Sequence, residues 1–374
     1  MNKKILVGMS GGVDSAVAAL KMQQAGFDVT GAIIEIWDPQ DPSECETSPE
    51  TFRPWSERGC CHVPMVKYLC EEILSIPFVM VDRRDAFRQK VMDPFRDEYL
   101  KAQTPNPCVT CNAQVKIHEL MALADSLNIQ NVATGHYARK VFSPLTGVFH
   151  VAKGRDPKKD QAYFLAKLQS SEIERLEWPL ADLTKEEVRE IARESGFPVS
   201  EMVENMEACF VSDKNLKSYL DQWIPLEMKG QWEAISQSGE KIGSMEGGLG
   251  LTRGQRRGMG TGFGERVYVL DIHPERKQVV LGSKESLFVQ DCILEDWSGP
   301  APDSIQTPLS VVFRSSMKPV PCEISWYSPD LKRVGLSLME PSPWVSPGQV
   351  GAILFDKEVI LGAGTISLSE NEEY

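Results

Sequence analysis

The stretch that decides the fold is GMSGGVDS, residues 8–15, which follows the apolar run 5–7 and precedes the helix-like residues 16–20. A strand, a glycine-serine turn and a helix start in this order bring several backbone N–H groups and a helix dipole to one point. Gly11 and Gly12 let the backbone approach an anion without a Cβ in the way. The order therefore predicts a phosphate-binding loop at the end of a buried strand.

The side chains of this loop favour one kind of nucleotide chemistry. Ser10 and Ser15 add hydroxyl donors, and Asp14 is a candidate to orient the loop or to help hold a magnesium ion. The loop lacks the Gly-Lys-Ser/Thr ending of a Walker A motif, so γ-phosphate transfer is not favoured. SGGVDS instead resembles the PP-loop of ATP pyrophosphatases, which hold the β- and γ-phosphates of ATP and split between the α- and β-phosphorus. The ATP-binding residues predicted in the loop are Gly8, Met9, Ser10, Gly11, Gly12, Val13, Asp14 and Ser15.

Composition limits the class of protein. The 374 residues are 42% hydrophobic and 25% charged, which is typical of a globular protein with two or three domains. No apolar run approaches the ~20 residues of a membrane span, and Met1–Lys4 leads into a strand, so we expect a cytoplasmic protein without a membrane partner. Nine cysteines in a reducing compartment indicate thiol or metal chemistry rather than a disulfide scaffold.

The order of predicted elements indicates an α/β fold. Strands at 5–8, 29–36, 78–82 and 131–134 alternate with helices at 16–24, 63–74, 87–101, 117–127 and 185–195. They predict an N-terminal PP-loop ATP pyrophosphatase-type parallel sheet with helices on both faces.

The residue pattern changes after a predicted helix at 212–223, where glycines and short strand-like runs replace the alternation of strands and helices. Glycines from about residue 239, a hairpin at 271–282 and short strands at 309–314, 322–327, 333–338 and 351–355 predict a small β-rich central domain and a C-terminal antiparallel β-barrel. The expected domain boundaries are 1–211, 212–284 and 285–374.

A proline-containing insertion at 38–61 has the length of a binding loop or lid. Cys45, Cys60, Cys61 and His62 crowd its end, with Cys70 in the helix that follows. Two interpretations stay open for these residues: a sulfur-relay or metal-binding element, or incidental thiols.

The second informative stretch is TPNPCVTCN, residues 104–112, where two prolines stiffen the chain before Cys108 and Cys111. We expect both thiols at a fixed turn before a helix from about Gln114, where the helix N-terminus favours a nucleophile or metal ligand. Such a pair fits a redox site, half a zinc site or part of an iron–sulfur site. Cys209 is the best third sulfur, with an inert core position as the alternative.

Several motifs together resemble one family, the bacterial tRNA-specific 2-thiouridylases, over nearly the whole chain. They are SGGVDS at 10–15, TPNPCVTCN at 104–112, ATGHY at 133–137, KDQAYF at 159–164, Cys209 and GQRRG at 254–258. The resemblance implies replacement of the C2 oxygen of the anticodon wobble uridine by sulfur in tRNAs for lysine, glutamate and glutamine. ATP adenylates the oxygen, and a sulfur nucleophile then displaces AMP.

The resemblance also implies further site residues and partners. Ile34 and Gly135 complete the ATP site, and magnesium accompanies the nucleotide. Asn106, Pro107, Cys108, Lys159, Asp160, Gln161 and Arg314 fall where the family meets tRNA or the target base, and the C-terminal barrel becomes a tRNA-binding domain. The sulfur donor is sulfide, or a persulfide from a cysteine desulfurase or relay protein.

Cys108 departs from the family pattern, because well-known members carry an aspartate there. Cys108, Cys111 and Cys209 together resemble a related subgroup of tRNA thiolases in which three thiolates hold a 4Fe-4S cluster. A persulfide relay on Cys111 and Cys209, with Cys108 a spectator or resolving thiol, is the alternative, and a zinc site stays open. Because an open-sited cluster is easily lost to oxygen, we expect an aerobic sample to show only a Cys111–Cys209 disulfide or free thiols.

The net charge of −13 argues only superficially against a nucleic acid, because a local basic face still binds phosphate. Two basic segments are candidates for tRNA contacts: Arg83, Arg84, Arg88, Lys90, Arg96 and Lys101 in one, and Arg253, Arg256, Arg257 and Arg266 in the other. The rival functions are an ATP-dependent amidating synthetase with a PP-loop and a non-catalytic tRNA-binding or sulfur-carrier protein.

Overall fold

The structure, a computed structural model, describes residues 3–37, 63–198, 208–211, 216–259, 266–302 and 305–368. The chain forms two compact units, one of Met1–Met92 with Cys108–Phe210 and one of Asp93–Pro107 with Val211–Tyr374. The insertion at 38–61, with Cys45, Cys60, Cys61 and His62, lies outside the described residues. The three predicted domain boundaries stay a prediction.

A five-stranded parallel sheet forms the centre of the first unit, in the order β3-β2-β1-β4-β7. Its strands are β1 Lys4–Gly8, β2 Asp28–Glu35, β3 Phe78–Asp82, β4 Asn131–Ala133 and β7 Leu176–Glu177. Ile5, Leu6 and Val7 are fully buried in the middle strand, as a parallel sheet covered on its faces requires. The predicted α/β architecture is confirmed, and β7 is a short strand that the sequence did not predict.

The helices of the first unit lie between these strands. They are α1 Val13–Gln24, α2 Val63–Tyr68, α3 Arg84–Phe87, α5 Pro107–Cys111 (whose first residue belongs to the second unit), α6 Ile117–Ser126, α7 Ser170–Arg175 and α8 Lys185–Glu194. Single π-helical turns at Leu69–Ile73, Arg88–Met92 and Asn112–Lys116 follow α2, α3 and α5. The small side chains of Ala16 and Ala19 in α1 belong to the same hydrophobic core as Val188 of α8. A hairpin of β5 Ala138–Ser143 and β6 Val148–Lys153 was not predicted.

The second unit begins with α4 Asp93–Leu100, a segment that lies in sequence between parts of the first unit. Phe95 of α4 packs edge-on against Tyr219 of α9 Leu216–Asp221, with ring centroids 6.0 Å apart. A mixed sheet follows in the order β10-β11-β8-β9. Its strands are β8 Gln231–Ile235, β9 Lys241–Glu246, β10 Tyr268–His273 and β11 Gln278–Gly282, so the predicted 271–282 hairpin is confirmed.

Six antiparallel strands close into a barrel in the order β12-β15-β14-β13-β16-β17, with β12 also paired to β17. They are β12 Val289–Glu295, β13 Leu309–Val312, β14 Val320–Ser328, β15 Arg333–Ser342, β16 Val350–Phe355 and β17 Val359–Ser367. Cys292 and Cys322 lie in the barrel core, and burial raises the pKa of both thiols to about 12. The predicted barrel is confirmed.

Across the described ranges, the helices are too short or too polar to cross a lipid bilayer.

Candidate active site

The phosphate-binding loop closes on the hydroxyl of Ser15. Ser15 Oγ accepts a hydrogen bond from Ser10 N at 3.2 Å and donates to Gly12 O at 3.0 Å. Gly11 adopts a φ of 81°, a left-handed conformation that glycine takes without a steric cost. Gly12 is the N-cap of α1 and makes no side-chain cap, so the first N–H groups of the helix are directed at whatever occupies the loop. The predicted residues 8–15 are therefore one continuous anion cradle at the carboxyl end of β1.

Asp14 is held from two sides inside the first unit. Tyr137 Oη donates to Asp14 Oδ1 at 2.7 Å, and Lys185 Nζ lies 2.8 Å from each carboxylate oxygen. The Lys185 side chain is only 5% exposed, so this is a buried cation with the Asp14 carboxylate against it. Of the two roles expected for Asp14, orientation of the loop is the one that these contacts provide.

Gly135 lies against the first turn of α1. A Cβ on Gly135 would come within 2.8 Å of Asp14 C and 2.9 Å of Ser15 N, which are backbone atoms that cannot rotate away. Glycine is therefore required for the close approach. Ile34 lies next to the last residue of β2, at the edge where the carboxyl ends of parallel strands meet. Both predicted residues are thus placed on the nucleotide side of the sheet.

His136 is a neutral side chain at physiological pH. Desolvation of the ring, with a smaller contribution from the charge of Lys116, lowers the pKa of His136 to about 4. Its Nδ1 lies 2.8 Å from Thr134 Oγ1. The imidazole therefore carries no proton to donate as an imidazolium at pH 7.

The KDQAYF motif is hydrogen-bonded to Tyr137, the residue just before β5. Gln161 Oε1 accepts from Tyr137 N at 3.0 Å, and Gln161 N donates to Tyr137 O at 3.0 Å. Asp160 Oδ1 accepts from Gly154 N and Ala162 N, while burial raises the pKa of its carboxyl. These bonds fix the loop that presents Lys159. The predicted contacts of Lys159, Asp160 and Gln161 with tRNA stay a prediction.

The helix that carries the cysteine pair begins earlier than predicted. It starts at Pro107, not near Gln114, because proline is well suited to the first helical position. Cys108 is exposed and Cys111 buried in this first turn. Asn112, the next residue, is buried and donates from Nδ2 to Phe164 O at 3.1 Å, which ties the helix to KDQAYF.

Cys209 is held by its neighbour. Phe210 packs edge-on against Phe87 with centroids 5.6 Å apart, and Cys209 itself is partly exposed. The disulfide or thiol state expected for Cys111 and Cys209 stays a prediction. Within the part of the chain that the structure describes, His, Cys, Asp and Glu form no group of three or more able to hold a metal ion. The described residues therefore give no support to the predicted 4Fe-4S cluster or to a zinc site, and the ligand role of the three cysteines stays a prediction.

The residues just before Cys108 are hydrogen-bonded to the 347–349 turn within the second unit. Thr104 N donates to Pro347 O at 2.9 Å, and Gln349 Nε2 donates to Thr104 O at 3.0 Å and to Pro105 O at 3.2 Å. Gly348, with a φ of 86°, lets the turn approach Thr104 N. Asn106 and Pro107 follow directly, so both predicted tRNA-contacting residues continue a fixed segment. Sequence reasoning missed Gln349, since no local pattern links it to a residue 245 positions away.

Three family models match successive parts of the chain. They are described as tRNA methyl transferase HUP domain (residues 3–213), tRNA methyl transferase PRC-barrel domain (217–283) and aminomethyltransferase beta-barrel domain (290–366). The tRNA-specific 2-thiouridylase MnmA of Clostridioides difficile is 34% identical over 373 residues, which is 99% of each chain. The protein of the same name from Carboxydothermus hydrogenoformans is 35% identical over 370 residues, or 97% of each. This chain belongs to the tRNA-specific 2-thiouridylase family. The predicted resemblance is confirmed.

The basic residues expected to face RNA in this 2-thiouridylase family member differ in their surroundings. Arg256 and Arg257 are exposed, as expected. Arg253 is a correction: it is 7% exposed, and its guanidinium donates to the carbonyl oxygens of Leu270 and Leu287.

The other predicted basic segment does not form a free positive face. Arg83 and Lys90 pair with Glu119, Arg84 pairs with Asp82, and Arg96 pairs with Asp93 and Asp97. Much of its charge is therefore already compensated by carboxylates. Arg314, in the barrel, lies instead with Cζ 5.1 Å from the ring centroid of Trp344.

Proposed function

We propose that this chain is a tRNA 2-thiouridylase that uses ATP to activate the C2 oxygen of the wobble uridine in tRNAs for lysine, glutamate and glutamine. The observation that carries the proposal is the loop of residues 8–15, closed on Ser15 at the start of α1. It has the shape of a pyrophosphate cradle and lacks the lysine of a Walker A motif. Full-length similarity to 2-thiouridylases supplies the substrate class.

The reaction divides into two displacements. The C2 oxygen of uracil attacks the α-phosphorus of ATP, the bond to the β-phosphate bridge breaks, and pyrophosphate leaves into the cradle. A sulfur nucleophile then adds to C2, the C2–O bond breaks, and AMP leaves with the former uracil oxygen. Backbone N–H groups at the N-terminus of α1 stabilise the phosphate charge, and they do so from fixed positions.

Magnesium is the expected companion of ATP, but Asp14 does not fit as its ligand in this arrangement. Both carboxylate oxygens already face the ammonium of Lys185. Magnesium commonly keeps several waters and binds through substrate phosphates, so the nucleotide itself is the main source of its ligands. Asp14 then acts by holding the loop, not by binding the ion.

We propose that cysteine thiols carry the sulfur, because the described residues give no support to a three-ligand metal cluster. A persulfide formed on Cys111 or Cys209 adds its terminal sulfur to C2 as AMP leaves. The second thiolate attacks the cysteine-bound sulfur, so that 2-thiouridine is released and a Cys111–Cys209 disulfide forms. An external thiol reduces this disulfide, and a protein persulfide recharges the cysteine.

The descriptions of the matching family models name methyl transfer as an alternative function. The sequence analysis left two others open, an amidating synthetase and a passive tRNA-binding or sulfur-carrier protein. The residue 8–15 cradle favours pyrophosphate release over methyl transfer, and a passive tRNA binder or sulfur carrier has no use for it. An amidating synthetase would need neither the Cys111–Cys209 pair nor a C-terminal barrel. Thiolation of tRNA accounts for the loop, the cysteines and the barrel together.

The test follows the nucleotide and the cysteines together. The wild-type protein with ATP, tRNA and a persulfide donor should yield AMP and pyrophosphate, at a rate that depends on tRNA. Cys111→Ala and Cys209→Ala should abolish thiolation while ATP binding survives, and Cys108→Ala should retain it. ADP and phosphate as products would contradict the proposal. Loss of thiolation in Cys108→Ala, with iron bound only to the wild type, would restore the cluster and reject the relay.

A further inference from the structure

The indole of Trp344 lies exposed on the surface of the barrel. Trp344 is 48% exposed, in the 343–349 loop between β15 and β16. The residues around it are firmly held: Ser342 and Val345 are buried, and Trp344 N donates to Ser342 Oγ at 3.4 Å. The loop therefore displays a rigid aromatic face to solvent, although exposure of so much apolar area brings no benefit to folding.

A cation is ordered on this indole. Arg314 Cζ lies 5.1 Å from the ring centroid, within the range of a cation–π contact. Arg314 follows the fully buried Phe313, and its carbonyl accepts from Met317 N at 3.3 Å, so its backbone is also fixed. The barrel thus presents a planar ring and a planar guanidinium as one unit.

We propose that Arg314 and Trp344 form a stacking platform for an unpaired nucleotide of the bound tRNA. This inference rests on the proposed function, and it adds Trp344 as a residue that grips RNA. Proteins recognise single-stranded RNA by stacking splayed bases on aromatic rings and on guanidinium planes. The positive charge of Arg314, which lies over the ring, suits the phosphate of the same nucleotide, whereas the chain as a whole carries −13.

The barrel offers a matched control. Trp326 on β14 is 43% exposed, and its indole lies over Gly335, where a Cβ would come within 2.3 Å of Trp326 Nε1. Trp326→Ala therefore removes a similar exposed area from the same barrel without touching the platform. Trp344→Phe keeps an aromatic face at the platform itself.

The experiment measures the Kd for an unmodified tRNA transcript, with thermal unfolding as the check on folding. Trp344→Ala should weaken binding about tenfold, and Trp344→Phe should restore most of the affinity. Trp326→Ala should bind like the wild type, and the Kd for ATP should be the same in all four proteins. Salt separates the two partners: Arg314→Gln should lower the slope of log K against log salt by about one, and Trp344→Ala should leave it unchanged.

Equal affinity of Trp344→Ala and the wild type for tRNA would overturn the platform, and so would an equal loss in Trp326→Ala. If Trp344→Ala instead impairs only the transfer of sulfur from a protein donor, the surface binds protein and the proposal is wrong. A wild-type protein that fails to bind tRNA at any salt concentration would reject the proposed function as well, which distinguishes that failure from the failure of the platform.

Discussion

Lys185 Nζ lies 2.8 Å from both carboxylate oxygens of Asp14, although 171 residues separate the two in sequence. The contact joins the first turn of α8 to the first turn of α1, next to the candidate pyrophosphate cradle. Because the Lys185 side chain is nearly fully buried, its charge depends on Asp14 for compensation. The geometry of the loop and the stability of the unit are therefore linked through one ion pair.

Removal of one partner should cost more than removal of both. Asp14→Asn keeps a hydrogen-bond acceptor for Tyr137 but removes the carboxylate that lies against the buried Lys185 ammonium. This should lower the free energy of unfolding by about 3 kcal/mol. Asp14→Asn with Lys185→Met should recover part of that loss, since the buried charge is gone. Urea unfolding of the two single variants and the double variant measures the coupling, and strictly additive losses would contradict it.

Gly135→Ala should damage the loop directly. The new Cβ would lie 2.8 Å from Asp14 C, so α1 or the 133–137 segment must shift. We expect a stability loss of about 1–3 kcal/mol and weaker ATP binding. Gly8→Ala is the comparison, because its Cβ meets the end of the flexible Leu120 side chain at 2.9 Å and should cost less stability. Titration calorimetry with ATP and urea unfolding measure both effects, and wild-type values for Gly135→Ala would refute the close-approach argument.

His136 should make the protein less stable in mild acid. Its pKa falls from 6.5 to about 4 on folding, so the unfolded chain binds the proton more readily between these values. Its contribution to stability is fully present above pH 6.5, declines as the pH falls, and is lost below pH 4. Between pH 8 and pH 5, the free energy of unfolding of His136→Asn should therefore fall by about 2 kcal/mol less than that of the wild type. Parallel urea titrations at the two pH values measure the difference, and identical pH dependence would contradict it.

Gln349 should control the segment before the cysteine helix. Gln349→Glu replaces a donor to Thr104 O and Pro105 O by a carboxylate that repels both carbonyl oxygens. The amide of Thr104, bonded to Pro347 O, should then exchange its hydrogen at least tenfold faster, because each 1.4 kcal/mol of opening free energy is a factor of about ten. Gln290→Glu is the matched control: Gln290 also donates to a barrel carbonyl, that of Leu338, away from Thr104. Equal exchange rates of the Thr104 amide in both variants would show that the Gln349 hydrogen bonds do not hold this segment.

Local patterns were sufficient to predict the loop, the parallel sheet and the barrel. The order of strand, glycine turn and helix around residues 8–15 is a feature of neighbouring residues, and so is the spacing of short strands after residue 290. The predicted helix start near Gln114 was wrong because Pro107 was interpreted as a turn residue, although proline also suits the first position of a helix, where α5 begins.

The contacts that position the site were beyond prediction because they join distant residues. Nothing near Lys185 indicates that its ammonium meets Asp14, and nothing near Gln349 indicates Thr104. Arg253 shows the converse, because it lies in a basic run but is buried against backbone carbonyls. The cluster prediction rested on the resemblance of three cysteines to those of related tRNA thiolases, and the described residues give it no support.

The central claim is that this chain replaces the C2 oxygen of the wobble uridine by sulfur at the expense of ATP. The direct measurement is mass spectrometry of the nucleosides from unmodified tRNA for glutamate after incubation with the protein, ATP and a persulfide donor. The account predicts that the wobble uridine gains the mass difference between sulfur and oxygen, only with ATP present, and in step with AMP released. A wobble uridine of unchanged mass, or one that gains a methyl group, would contradict it.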